Sequence, residues 1–400
     1  MYVTRRLSTY RKSLASLSDP PPEGPNSGIL VIQDEEAMPT RCLGLCETDR
    51  IKELPLPQNR SLELYYAQGI SYLRTLHFHN VFFVPVLNQP LSSKLYYAIH
   101  PYGKDRGEAI TSSEEDLEAC CFSIHGKDVP PQRLDPKNKY QQFEISLEGG
   151  NVNPLGSGFT AKSLDGFPPN FLGRKGWKLI SSSSPGFELS DDAQGLDAAL
   201  RACLPNFDFP LAEDEKSKPV AVLGKWYCPF MFIKEGTPQT LKDEMSRSMY
   251  YEMTLEQSWE LIFAKENDHN QGNAIVVDID VQTEAVMVGK REAVIDESNI
   301  GDGVVWFRSF SNVGEETSVG LSIEIVERMK WEQKRVGWIT GDERKVRVER
   351  AEECGGPLGG EWNKFGCFVL TERFVLKRMN GSLVLTHDFK HTHQIRSKWE

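Results

Sequence analysis

The sequence predicts an α+β, β-rich protein: an N-terminal mixed α/β region followed by a mainly antiparallel β C-terminal region. Three observations predict it. From residue 250 onward apolar residues recur with period 2; Ile275, Val277, Ile279 and Val281 fall on one side of a segment whose other side carries Asp278, Asp280 and Gln282. Asn380-Gly381 sits between two apolar segments, the strongest short-range signal for a tight β-hairpin. Helical spacing is confined to short stretches such as Thr240–Met249, where Leu241, Met245 and Met249 share a face.

Taken in order, the first expected strand is Gly28–Ile32, after the turn-rich PPPEGPNSG. Val81–Ile99 reads as two strands around Asn88-Gln89-Pro90, with Pro85 marking an edge or bulge. Ser112–Cys121 opens with a helix N-terminal signal, Ser113 three residues before Asp116. Gln141–Leu147 is a further strand. Residues 148–190, rich in Gly, Pro and Ser, read as irregular loops, and Asp191–Leu204 as a short helix stopped by Pro205. Ala221–Ile233 is strand-like. The C-terminal strands are expected at Ala274–Val288, Gly303–Phe310, Ser318–Val326, Glu343–Glu349, Phe365–Arg378 and Ser382–His393. These elements divide the chain into an arm (1–27), a mixed α+β domain (28–210), a charged linker (211–219) and a mainly antiparallel β domain (220–400).

Composition excludes several classes. Across 400 residues, 39% hydrophobic and 10% aromatic content supplies an ordinary core and excludes global disorder. A formal charge of −11 (46 basic, 57 acidic) argues against nucleic acid as a partner, because such affinity comes from neutralising phosphates. The longest apolar stretch, Val81–Leu87, is far short of the roughly 20 residues of a constitutive transmembrane helix. No apolar segment follows Met1, so the expected compartment is the cytoplasm; the basic, serine-rich residues 1–18 leave an organellar transit peptide open. The eight cysteines are then expected to be reduced thiols.

The chemistry is sparse. Gly156–Ser163 (GSGFTAKS) nearly spells a phosphate-binding loop, but Ala161 replaces a glycine and Gly166, Pro168 and Pro169 deny it a following helix. No catalytic residue, no cofactor-binding residue and no cofactor are expected. His387, His391 and His393 share a parity on the last strand and are the candidate metal ligands, since three imidazoles with an open position can hold zinc. Lys390, Arg396 and Lys398 work against a cation there. The competing expectation is a structural hairpin with these histidines at an exposed rim, so that His391→Ala costs well under about 1 kcal/mol. His77 and His79 form a similar pair without a third ligand nearby in sequence.

Several segments carry a family likeness: Met1–Ser13, Pro20–Glu36, Val84–Ser93, Gly224–Gly236, Tyr250–Phe263, Val326–Ile339 and Phe374–Ile395. Through them the chain resembles, nearly end to end, the plant family called domain of unknown function 1262. The resemblance implies a plant source and places residues 1–13 inside the family unit. It brings no established activity and no catalytic residues.

The leading functional expectation is a non-enzymatic, β-rich binding or interaction protein, with a protein or a membrane surface as its partner. One alternative is an aerolysin-like β-pore-former that inserts the hairpin Gly303–Val326. In that hairpin Val319, Leu321, Ile323 and Ile325 alternate with polar residues. The other is a metal-dependent enzyme built on the three C-terminal histidines.

Overall fold

The computed structural model describes residues 1–41, 46–69, 74–114, 128–148, 158–181, 187–211, 219–236, 240–267, 272–296, 303–354 and 362–400. Most of the regular structure is β. The chain forms two compact units: Met1–Gln194 with Tyr227–Tyr251, and Gly195–Trp226 with Glu252–Glu400. The expected linker lies mostly in residues outside the described set.

In the first unit the chain does not begin as an arm. Tyr2–Arg6 is a strand, paired in parallel with Gly28–Ile32, so that Tyr2 lies opposite Gly28. The Tyr2 ring is fully buried and its hydroxyl donates to the Pro85 carbonyl at 3.0 Å. A seven-stranded sheet forms the body of the unit, with the central strands Leu95–Ile99, Thr75–Pro85, Leu62–Gln68 and Lys178–Ser181 side by side. Its buried face carries Leu62, Leu64, Val81, Phe83, Tyr96, Ile145, Phe159 and Trp177. The stretch read as loop, 148–190, supplies two of these strands, Phe159–Ser163 and Lys178–Ser181, and a short helix, Asn170–Gly173. Their apolar anchors, Phe159, Leu172, Trp177 and Leu179, are too widely spaced among Gly and Ser to show a period.

In the second unit the strand Lys364–Arg378 lies between Tyr250–Glu266 and Leu383–Trp399. It is buried on both faces from Phe365 to Glu372, as its doubly apolar sequence anticipates. The Asn380-Gly381 turn forms where expected, with the Arg378 N–H donating to Ser382 and Gly381 at φ 82°. The hairpin then departs from regular pairing. Val369 faces Ile395 while Leu370 faces His391, so Thr392, His393 and Gln394 bulge out of the ladder.

Three further expectations are corrected. The segment Ala274–Val288 is two strands, Ala274–Gln282 and Glu284–Val288, which pair with different partners, Lys345–Glu353 and Leu383–Trp399. They change partner at Thr283, which is fully buried; its N–H donates to Arg344 and its carbonyl accepts from Lys390 and from the Trp338 indole. The second arm of the 303–326 hairpin ends at Ser322, and Ile323–Lys334 is a helix. That helix buries Glu324, Arg328, Glu332 and Gln333 together with Ile325, Val326 and Met329, so its buried face mixes polar and apolar residues and blurs the usual apolar stripe. The short helix expected across Asp191–Leu204 is confined to Ala198–Cys203, capped by the Asp197 carboxylate at the Leu200 N–H.

Candidate functional site

The hairpin formed by Leu62–Gln68 and Thr75–Pro85 changes character along its length. Near its base Leu62 faces Val81 on the core side; one step on, Leu64 faces His79, and then Tyr66 faces His77. Leucines thus give way to rings. Tyr66 stacks on His77 (5.2 Å between centroids, 16° between planes) and on His79 (5.9 Å, 7°). His79 stacks in turn on Phe171 (4.5 Å, 19°), and the Arg174 guanidinium lies 4.8 Å over the Tyr66 ring. The Arg174 Nε is buried without a hydrogen-bond partner. Burial holds the His79 imidazole below its ordinary pKa, helped by His77 and His100 and opposed by Asp128. His79 is therefore a neutral stacking ring at neutral pH.

The outer face of the same hairpin is the more exposed one. Tyr65 faces Phe78, their rings stacked at 5.8 Å and 28°, and Ala67 faces Leu76. Phe78 is 52% exposed and Leu76 55%. The neighbouring strand Lys178–Ser181 continues the rows: Lys178 faces Tyr65, and Ile180 faces Glu63, which faces Asn80 on the other side. An apolar patch is therefore bordered in register by an ammonium, a carboxylate and a carboxamide. Burial and the nearby Arg50 lower the Lys178 pKa. The sequence shows the His77/His79 parity; the opposite parity, Leu76 and Phe78, is the signal that leads to this face.

The C-terminal histidines, which lie in the second unit, occupy three different environments. His387 is fully buried, with its Nε2 2.8 Å from Glu284 Oε1 and its ring stacked on Phe389 at 4.3 Å. Burial pushes the Glu284 carboxyl up, but the hydrogen bond and charge of His387, with Lys330 and Arg344, outweigh it and hold the carboxyl below its ordinary value. His391 is buried too, its Nε2 2.8 Å from Gln333 Oε1. His393 is exposed, carried out of alternation by the bulge. An exposed rim therefore describes His393 but not His387 or His391. Among the described residues, no group of three or more His, Cys, Asp or Glu side chains is arranged to hold a metal ion.

His391 belongs to a buried ionic network that the sequence does not announce. Glu372 accepts from Arg201 Nε at 2.8 Å, from Gln257 Nε2 at 3.0 Å and from Gln333 Nε2 at 2.9 Å. Glu332 accepts from Arg201 at 2.6 Å, Arg328 at 2.8 Å and Arg335 at 2.7 Å. Each carboxylate thus has several charged or amide donors, which is what a buried charge requires. The network joins the Ala198–Cys203 helix, the Ile323–Lys334 helix and the sheet.

In the near-phosphate loop, Lys162 and Ser163 lie in the strand Phe159–Ser163, paired with Glu144 and Phe143. No helix N-terminus forms at Ser163, so the backbone N–H cradle of a phosphate loop is not built there.

A family profile described as "Protein of unknown function (DUF1262)" matches residues 23–122. Among solved structures the chain is similar to the crystal structure of Cry35Ab1, with 12% identity and a TM-score of 0.41 over 86% of this chain and 90% of that one. No curated protein matches.

Proposed function

We propose that this is a non-enzymatic binding protein of the plant cytosol, and that the outer face of the hairpin 62–85 is its contact surface. One observation carries the reading. Phe78 and Leu76 are more than half exposed, and Phe78 stacks on the Tyr65 ring, on a strand pair whose other face is committed to the core. Isolated exposed apolar side chains are ordinary; three in register, bordered by polar groups, form a patch that gains by being covered. Aromatic faces beside Lys178, Glu63 and Asn80 suit a polyhydroxylated ring. Its C–H face lies on the aromatic platform while its hydroxyls meet the ammonium, carboxylate and carboxamide. Titration of the protein with short neutral and acidic oligosaccharides, followed by NMR, tests this. Binding that falls about tenfold or more in Phe78→Ser supports it. No binding, or binding indifferent to Phe78→Ser and Tyr65→Ser, removes it.

A membrane-acting reading has one observation in its favour. Tyr250–Glu266 and Leu383–Trp399 are each 17 residues long, beyond the roughly 9–11 that a membrane strand needs. Against it, each arm of the hairpin 304–322 has seven residues. No helix among the described residues is long and apolar enough to cross a membrane, which leaves strand insertion open. Dye release from anionic vesicles separates this reading from the first.

A further inference from the structure

A cavity of about 270 Å³ lies in the first unit where the Leu7–Lys12 helix meets the segment 50–57. Its size is near the lower end of small-molecule sites. Its wall is divided by chemistry. Leu7, Ile51, Pro55 and Pro57 are buried and make an apolar lining. Arg11, Arg50 and Lys52 bring positive charge to it, with Glu53 as the one acidic lining residue. Leu7 and Arg11 stand four apart on one helix face, so the helix presents an apolar and a cationic group on the same side.

The charges do not cancel. Arg11 is committed to Glu53, donating from Nε at 2.7 Å. Among the described residues, Arg50 and Lys52 form no side-chain hydrogen bond or ion pair. In a chain of net charge −11 such a surplus of positive charge is local and uncompensated.

Gln33 gives a second, independent indication. It also lines the cavity, and its backbone is clasped by Asn59, which accepts from the Gln33 N–H at 2.9 Å and donates to the Gln33 carbonyl at 3.2 Å. The residue is 5% exposed, and its Oε1 is buried with no hydrogen-bond partner. A buried acceptor left unmatched costs free energy, and a donor on a bound molecule removes that cost.

We propose that this cavity binds a small amphipathic carboxylate: an anion held by Arg50 and Lys52, an apolar body against Leu7, Ile51 and the prolines, and one hydrogen-bond donor for Gln33. The apolar lining selects against inorganic anions, and the cations select against neutral analogues of the same shape. The site shares no residue with the hairpin face, but Arg50 lies opposite Ile180 and acts on Lys178, so the Lys52→Gln and Gln33→Leu variants, rather than Arg50→Gln, distinguish failure of this site from failure of the hairpin face.

Calorimetry on the full chain tests this with phenylacetate, para-hydroxyphenylacetate, phenylacetamide and inorganic phosphate. Both carboxylates are expected to bind, and phenylacetamide about tenfold or more weaker, the loss expected when a charge-assisted contact is removed. Arg50→Gln and Lys52→Gln are each expected to weaken the carboxylates by a similar factor while the melting temperature stays within a few degrees. The para-hydroxyl is expected to improve binding in the wild type and to give no gain in Gln33→Leu. The proposal is overturned if neither carboxylate binds, if binding survives both charge removals, or if phosphate binds as tightly as the aromatic acids. An equal hydroxyl gain in Gln33→Leu removes Gln33 from the site.

Discussion

His391 donates its Nε2 hydrogen to Gln333 Oε1 across 2.8 Å. The direction follows from the far end of the same amide, where Gln333 Nε2 donates to Glu372 at 2.9 Å, leaving its oxygen to face the imidazole. Glu372 thereby sets the tautomer of a histidine it does not directly bond.

The first prediction concerns acid. Burial, His393 and Arg201 push the His391 pKa down from 6.5 to about 4, and Glu372 opposes them only in part. The unfolded chain therefore takes up the proton first as pH falls. Stability is full above about pH 6.5 and declines until about pH 4, a loss of about 3 kcal/mol from this residue. Urea unfolding across that range should show a shallower decline in His391→Gln than in the wild type. Equal slopes would mean His391 does not report on folding.

His391→Ala at pH 7 should cost about 2–3 kcal/mol, since it opens space and leaves Gln333 Oε1 without its donor. That is well above the value expected of an exposed rim. The same substitution at His393 should stay within about 0.5 kcal/mol. Chemical denaturation of the two variants in parallel distinguishes them.

Arg201→Met should destabilise by about 3–5 kcal/mol, because it leaves Glu372 a buried charge with only the Gln257 and Gln333 amides as donors, while Glu332 keeps Arg328 and Arg335. Arg201→Lys should recover little of this, since one ammonium cannot span both carboxylates. A Lys variant as stable as the wild type would show that the fork geometry is immaterial.

Leu376→Ala should cost about 2–5 kcal/mol, as Leu376 is fully buried. Leu383, 49% exposed on the partner strand, should tolerate alanine with little change. A calorimetric melt of each is sufficient.

Gly28→Ala should also be costly. A Cβ there would run into the ring of Tyr2, which is fully buried and anchored to Pro85. Overpacking of this kind costs about 1–3 kcal/mol. An unchanged melting temperature would mean that Tyr2 can move aside.

What could be read from the sequence was local. Gly28–Ile32 and the Asn380-Gly381 turn carry their own signals. So do the exposed Asp278 and Asp280, each facing an arginine or glutamate across the Ala274–Gln282 pairing. The β-rich class follows from such patterns. What was not legible depends on distant residues. Ile323 and Ile325 alternate as a strand would, yet the buried carboxylate of Glu332 and its arginines hold that segment as a helix. Parity placed His393 in line with His391 on one face; a bulge carries His393 out of the ladder to the surface, while the two rings still meet edge to face at 5.5 Å. For the candidate surface, the sequence shows the parity of Leu76 and Phe78 but not which face of the hairpin is covered.

Thr283 has a kinetic consequence. Two ladders in the second unit meet at this one residue, with Gln282 still pairing to Lys345 and Glu284 already pairing to Phe389. Joining separate ladders ordinarily means closing a flexible loop, at an entropic cost that grows with its length. Here the connection has no slack. Once either ladder forms, the first rung of the other is already delivered by the covalent chain, and the two should zip within a single cooperative step.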